Sequence, residues 1–151
     1  MLGAAQGGVE EVTGIERFKT TVEVQTRFRD TDAMGHINNA VYLTYLELAR
    51  MEYIRRVFGV ADYAGVDFIL ARAEIDYRSP AKAGEALTLG VRVAKIGGAS
   101  FTMDYLVAEK DSGRVVAEAQ TVQVGYDYRR AKVKKLSEEF KSKVKGHDGV
   151  S

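Results

Sequence analysis

Residues 39–58, NAVYLTYLELARMEYIRRVF, run for twenty positions without a glycine or a proline. The other patterned segments alternate residue by residue, so this stretch is the place for one dominant helix, spanning about 30 Å. Asn38 or Asn39 is placed to cap its start, and Gly59 to stop it. Between Ala40 and Ala49 only Thr44 and Glu47 are polar, so the first half is apolar around most of its circumference. That pattern predicts a buried helix. The second half carries Glu52, Arg55 and Arg56 and is expected to emerge into solvent. A helix buried nearly all round needs a sheet wrapped about it.

The remaining segments can supply one. Phe18, Thr20, Val22, Val24, Thr26 and Phe28 share one parity, with Lys19, Glu23, Gln25 and Arg27 on the other. Period two of that kind marks a half-buried strand. Residues 71–78, 87–93 and 101–107 alternate as well, and 114–127 does so less cleanly. Gly97-Gly98 and Asp111-Ser112-Gly113 fall between the later strands as hairpin signals, and Pro80 lies in the connection after the second strand. The tail LSEEFKSKVKG is amphipathic, with Ser137 as a possible cap for a short surface helix. The expected fold class is therefore α+β: a five-stranded, mainly antiparallel sheet around one long central helix. A flexible tail is expected over 1–15, a single domain over 16–145 and a second short tail over 146–151.

Composition narrows the chemistry. Of 151 residues 46% are hydrophobic, and 22 Lys+Arg against 21 Asp+Glu leave a formal charge of +1. Nothing there favours nucleic acid as a partner. Cysteine is absent, which removes disulfides, thiolate metal sites and a cysteine nucleophile together. The start, MLGAAQGGVEEVTG, is unlike a secretory signal, and no apolar run reaches the ~18 residues of a membrane span. The expected address is the cytoplasm, with no membrane partner.

The chemistry concentrates in RFRDTDAMGHINNA, residues 27–40, where two carboxylates, a glycine, a histidine and two asparagines precede the helix. A helix N-terminus offers unpaired N–H groups and a positive dipole end, which suit an oxyanion. An aspartate beside such donors can attack a polarised acyl carbonyl or direct water at it. Plain turn chemistry is the bland alternative for Asp30 and Asp32. A calcium loop is excluded, because Met34 and Val41 stand where ligands five and twelve would be needed.

The run DTDAMGHINNAVYLTYLELAR, residues 30–50, resembles the signature of the 4-hydroxybenzoyl-CoA thioesterase-like branch of the hotdog-fold superfamily. YRSPAKAGEALTLGVRV and KIGGASF resemble the same family's second-to-fourth strand region, and the likeness extends over roughly residues 18–128. The resemblance implies a hotdog fold and hydrolysis of an acyl-CoA thioester. It implies a catalytic role for Asp32, as nucleophile or general base, and oxyanion donors in the backbone around Gly35, Ile37, Asn38 and Asn39. It implies a homodimer or homotetramer with the active site at the subunit interface, and neither metal nor redox cofactor. Related plant acyl-carrier-protein thioesterases carry Asp-x-Asn-x-His on this loop. Here Asp32 and His36 are kept and Met34 replaces the Asn, which favours an Asp-centred mechanism.

Other residues carry further expectations. Asp30 is expected to order the loop. His36 would orient Asp32, contact substrate or satisfy the backbone. The other histidine, His147, lies far off in the tail, so a two-histidine metal site is not expected. Glu47 is expected to be paired, with Arg50 or a backbone donor, because an unpaired buried carboxylate is costly. Tyr42 and Tyr45 read as core, or together with Leu46 as the wall of an inward acyl path. Arg78, Lys82 and the basic run 129–135 are candidates for coenzyme A phosphates. A hydratase using His36 with Asp32, and a non-catalytic acyl-CoA-binding module, are the alternatives.

Overall fold

A curled antiparallel sheet surrounds one side of a long helix in the computed structural model, which describes residues 14–60 and 65–150. The chain runs β1 (Thr20–Gln25), α1 (Val41–Phe58), β2 (Phe68–Tyr77), β3 (Ala86–Ile96), β4 (Ser100–Glu109), β5 (Val115–Asp127), β6 (Lys132–Val133) and α2 (Glu138–Asp148). Spatial order is β1-β3-β4-β5-β2, with the short β6 added beside the far end of β5. Every pairing is antiparallel. Period-two segments thus form the sheet, and two residues of β6 are too few to show a period.

Helix α1 lays Tyr42, Tyr45, Leu46, Ala49 and Tyr53 on the sheet, where they meet Leu87, Leu89, Phe101, Met103 and Tyr105 in one core. Gly59 ends the helix in the left-handed region at φ 74°, its N–H reaching the Arg55 carbonyl at 2.9 Å.

The expectation of burial all round is not met. Leu43 and Leu48 are 46% and 48% exposed, and Thr44 and Glu47 share their open side. The reason is geometric: the sheet wraps only one flank of the helix. Its last strand, β2, turns Tyr77, Ile75, Ala73 and Leu70 to the same face as Ala117, Ala119, Thr121 and Gln123 of β5. Of these four β2 residues only Ile75 is even half-buried. The side of the core that would complete the wrap is therefore bare.

Three sequence expectations shift at element ends. The first strand stops at Gln25 rather than continuing to Phe28, which is 85% exposed. Thr26 leaves the ladder to donate its hydroxyl to the Lys82 and Glu85 carbonyls, and a 3₁₀ turn follows over Phe28–Asp30. At the C-terminus, Ser137 caps α2 as expected, its Oγ accepting the Phe140 N–H at 3.0 Å. Of the tail expected over 146–151, residues 146–148 belong instead to α2, which continues to Asp148 and is anchored there. The Asp148 carboxylate accepts the Tyr53 hydroxyl at 2.7 Å and the Val93 N–H at 2.9 Å. The N-terminal tail expected over 1–15 lies outside the described residues as far as 13, and Ile15–Arg17 form a 3₁₀ turn. Among the described residues no helix is long and apolar enough to cross a membrane.

Candidate functional site

The two aspartates of the 27–40 loop have different environments. Asp30 is buried, and its carboxylate accepts the Arg27 N–H at 3.1 Å, the Arg27 guanidinium at 2.9 Å and the Tyr45 hydroxyl at 2.8 Å. Its carbonyl accepts the Asn38 N–H at 2.8 Å. Arg27 holds the Asp30 carboxyl below the usual carboxylate range, while burial and the Asp30 contact push the Tyr45 phenol up. With its lone pairs engaged inward, Asp30 joins the start of the loop to α1.

Asp32 is exposed, and its Oδ1 accepts the Met34 N–H at 2.8 Å and the His36 N–H at 3.2 Å. The backbone closes the same turn, Asp32 N–H to the His36 carbonyl at 2.7 Å and Gly35 N–H to the Asp32 carbonyl at 3.1 Å. Gly35 sits at φ 82°, a conformation that costs an L side chain. Among the described residues Oδ2 of Asp32 accepts no hydrogen bond. The Asp32 carboxylate is thus oriented by main-chain amides. Its contact with His36 is with the backbone N–H, so the His36–Asp32 pair that a hydratase reading calls for is not formed through the ring.

Asp32 opens onto a cleft of ≈ 240 Å³, with His36, Ile37 and Asn39 from the same loop, Tyr42 from α1, and Tyr77, Arg78 and Pro80 from β2 and its exit. The loop is held against this exit by the Ile37 N–H on the Ala81 carbonyl at 2.8 Å and by a bridge between His36 and Lys82. Burial pushes the Tyr42 phenol up to about 12, so it is a neutral wall at physiological pH.

The helix start is built differently from the expected cap. Ala40 occupies the cap position without a side-chain bond of its own, and Asn38, two residues earlier, takes the Ala40 N–H on its Oδ1 at 2.9 Å. This alters the four expected oxyanion donors. Gly35 N–H is engaged by Asp32, Ile37 N–H by Ala81 and Asn38 N–H by Asp30. Ile37 is moreover buried in the core. Among these four the Asn39 N–H has no acceptor within the described residues, and Asn39 lines the cleft.

The other expectations divide. Arg78 lines the cleft, its Nε 3.1 Å from Glu118 and its Nη2 3.6 Å from Asp76. Lys82 is exposed just beyond it, on the bridge to His36. The run 129–135 is not brought here. It follows the far end of β5, whose 13 residues span roughly 40 Å from the Val116 carbonyl that holds Arg78. The inward acyl path past Tyr45 and Leu46 is also corrected, since both are packed into the core and only Tyr42 reaches the cleft. Tyr77 lines the cleft although the sequence does not single it out. Its parity marks only a strand face, and its place in the cleft follows from the sheet register. Among the described residues no three metal-ligating side chains converge.

Comparison with known proteins identifies the family to which the chain belongs. A model of the thioesterase-like superfamily matches residues 26–144. The chain is 27% identical over 124 residues to the long-chain acyl-CoA thioesterase FadM of Escherichia coli, covering 81% of this chain and 94% of that protein. It is also 27% identical over 112 residues to a 1,4-dihydroxy-2-naphthoyl-CoA hydrolase of Synechocystis, covering 67% and 76% respectively. Among solved structures, a Thermus thermophilus thioesterase complexed with coenzyme A and Zn superimposes with a TM-score of 0.80 at 34% identity. That match covers 90% of this chain and 99% of the other.

Proposed function

Because this chain belongs to the thioesterase-like superfamily, we propose that it hydrolyses an acyl-CoA thioester to a free acid and coenzyme A in the cleft beside Asp32. The observation that carries the reading is the meeting, on one cleft, of a carboxylate oriented by backbone amides and of Asn39, which precedes α1 and whose N–H has no acceptor among the described residues. The thioester carbonyl oxygen sits at the Asn39 N–H, where the helix dipole favours the charge that develops on it. Asp32 then acts on the carbonyl carbon by one of two routes. As nucleophile it forms a mixed anhydride and expels the coenzyme A thiolate, and water hydrolyses the anhydride. As general base it takes a proton from the attacking water, and the tetrahedral intermediate collapses with loss of the same thiolate. Either route consumes one water and needs no cofactor.

Arg78 and Lys82 border the cleft mouth and are the cations offered to the coenzyme A phosphates, which stay in solvent. The working unit is a homodimer or homotetramer. Support comes from β2, an edge strand with a bare inner face, since such edges invite pairing with another chain. The enzyme works in the cytoplasm on acyl-CoA, without nucleic acid or membrane as partner.

Incubation with saturated and with 2-enoyl CoA esters, followed by free-thiol detection, tests this reading. A thioesterase releases thiol from the saturated esters. A hydratase consumes only the enoyl ester and releases none, and a binding module turns over neither.

A further inference from the structure

Tyr77, the last residue of β2, reaches across the cleft to the start of α1. Its hydroxyl donates to the Asn39 carbonyl at 2.9 Å, and its ring meets Tyr42 edge-on with centroids 5.4 Å apart. The acceptor belongs to the residue just before the helix cap Ala40, so it precedes the first carbonyl that the helix uses internally. The Leu43 N–H goes to that Ala40 carbonyl at 3.3 Å. The Asn39 carbonyl is left outside the helical ladder, and Tyr77 supplies its donor.

The two peptide planes flanking the Asn39 Cα are consequently held from different parts of the fold. The plane before it, which carries the Asn39 N–H, is held by the Val41 N–H on the Asn38 carbonyl at 2.9 Å. The plane after it is held by the Tyr77 hydroxyl and by the Ala40 N–H on Asn38 Oδ1 at 2.9 Å. Only two soft dihedrals join these planes, so fixing the second limits how far the first can turn.

From these contacts we propose that Tyr77 is a positioning residue which, through the Asn39 carbonyl, holds the Asn39 N–H in the direction a developing oxyanion requires. The proposal rests on the reading of that N–H as the oxyanion donor. Removing an oxyanion donor outright costs ~10²–10³-fold in kcat, and loosening one by a single step is expected to cost about tenfold.

The test is Tyr77→Phe, which deletes the hydroxyl and keeps the ring against Tyr42. Free-thiol release gives kcat and KM on an acyl-CoA. Titration with an S-alkyl-CoA thioether, which has no carbonyl, gives a binding constant blind to the oxyanion. The expected result is a fall of about tenfold in kcat with KM and thioether Kd within twofold. Asn38→Ala, which removes the other side-chain anchor of the same plane without touching β2, should give the same split. A kcat within twofold of wild type for a folded Tyr77→Phe overturns the proposal. So does a loss of thioether binding as large as the loss of kcat, which would make Tyr77 a cleft wall only. Absence of thiol release by the wild type would overturn the reading beneath the proposal and the proposal with it.

Discussion

At the scale of single residues, the two aspartates are separated by what surrounds them. Asp30 accepts a buried phenol, a main-chain amide and a guanidinium, and Arg27 lowers its pKa from an ordinary 3.8. Arg27 is itself 61% exposed, so screening leaves its share of the stabilisation small. Asp30→Asn should therefore cost about 2 kcal/mol, the scale of buried hydrogen bonds to a charged group. A carboxyl with a lowered folded pKa stabilises fully above its unfolded value, and that contribution is lost as pH falls through the folded value. Urea midpoints should show a constant gap between wild type and Asp30→Asn above about pH 5, closing below about pH 4. A gap that persists unchanged to pH 2 would contradict this. That Asp32, His36 and Asn39 stand together on one cleft was legible in the sequence because they occupy one short loop. Which amides of that loop are free was not, since the acceptors that engage them include the remote Ala81 carbonyl. Tyr77 was hidden for the same reason: its role depends on sheet register.

At the scale of elements, alternation marked β1 to β5, and the Gly- and Pro-free run marked α1. Their ends were less legible, because side chains compete there with the ladder. Thr26 and Asp30 bend the chain out of β1 even though Phe28 keeps the strand's parity. The cap of α2 was readable from Ser137 and the two glutamates after it. What it docks through, Asp148 on Tyr53 and Val93, was not, since those contacts are long-range. Ser137→Ala should lower stability by about 1 kcal/mol, the usual value for a lost N-cap. Its kcat should stay within twofold, because Ser137 lies outside the cleft. A thermal midpoint equal to wild type would show that the Phe140 N–H finds an equivalent partner.

At the scale of the whole molecule, the largely apolar circumference of the first half of α1 was legible, but its meaning was not. Within one chain the sheet covers a single flank, leaving Leu43, Leu48 and the inner face of β2 open. Burial of that surface by a second copy would reconcile the pattern with its exposure. Light scattering should accordingly give at least twice the monomer mass, and a fully active monomer would refute the assembly. The central claim, that this molecule cleaves thioesters with Asp32, is tested most directly by kcat for thiol release in Asp32→Asn. Asparagine keeps an Oδ1 that can accept the Met34 and His36 amides, so the turn should survive while the carboxylate is lost. The account predicts a fall in kcat of at least ~10²-fold, the low end for losing a general base, with a smaller change in KM. Retention of more than about a tenth of wild-type kcat would contradict it.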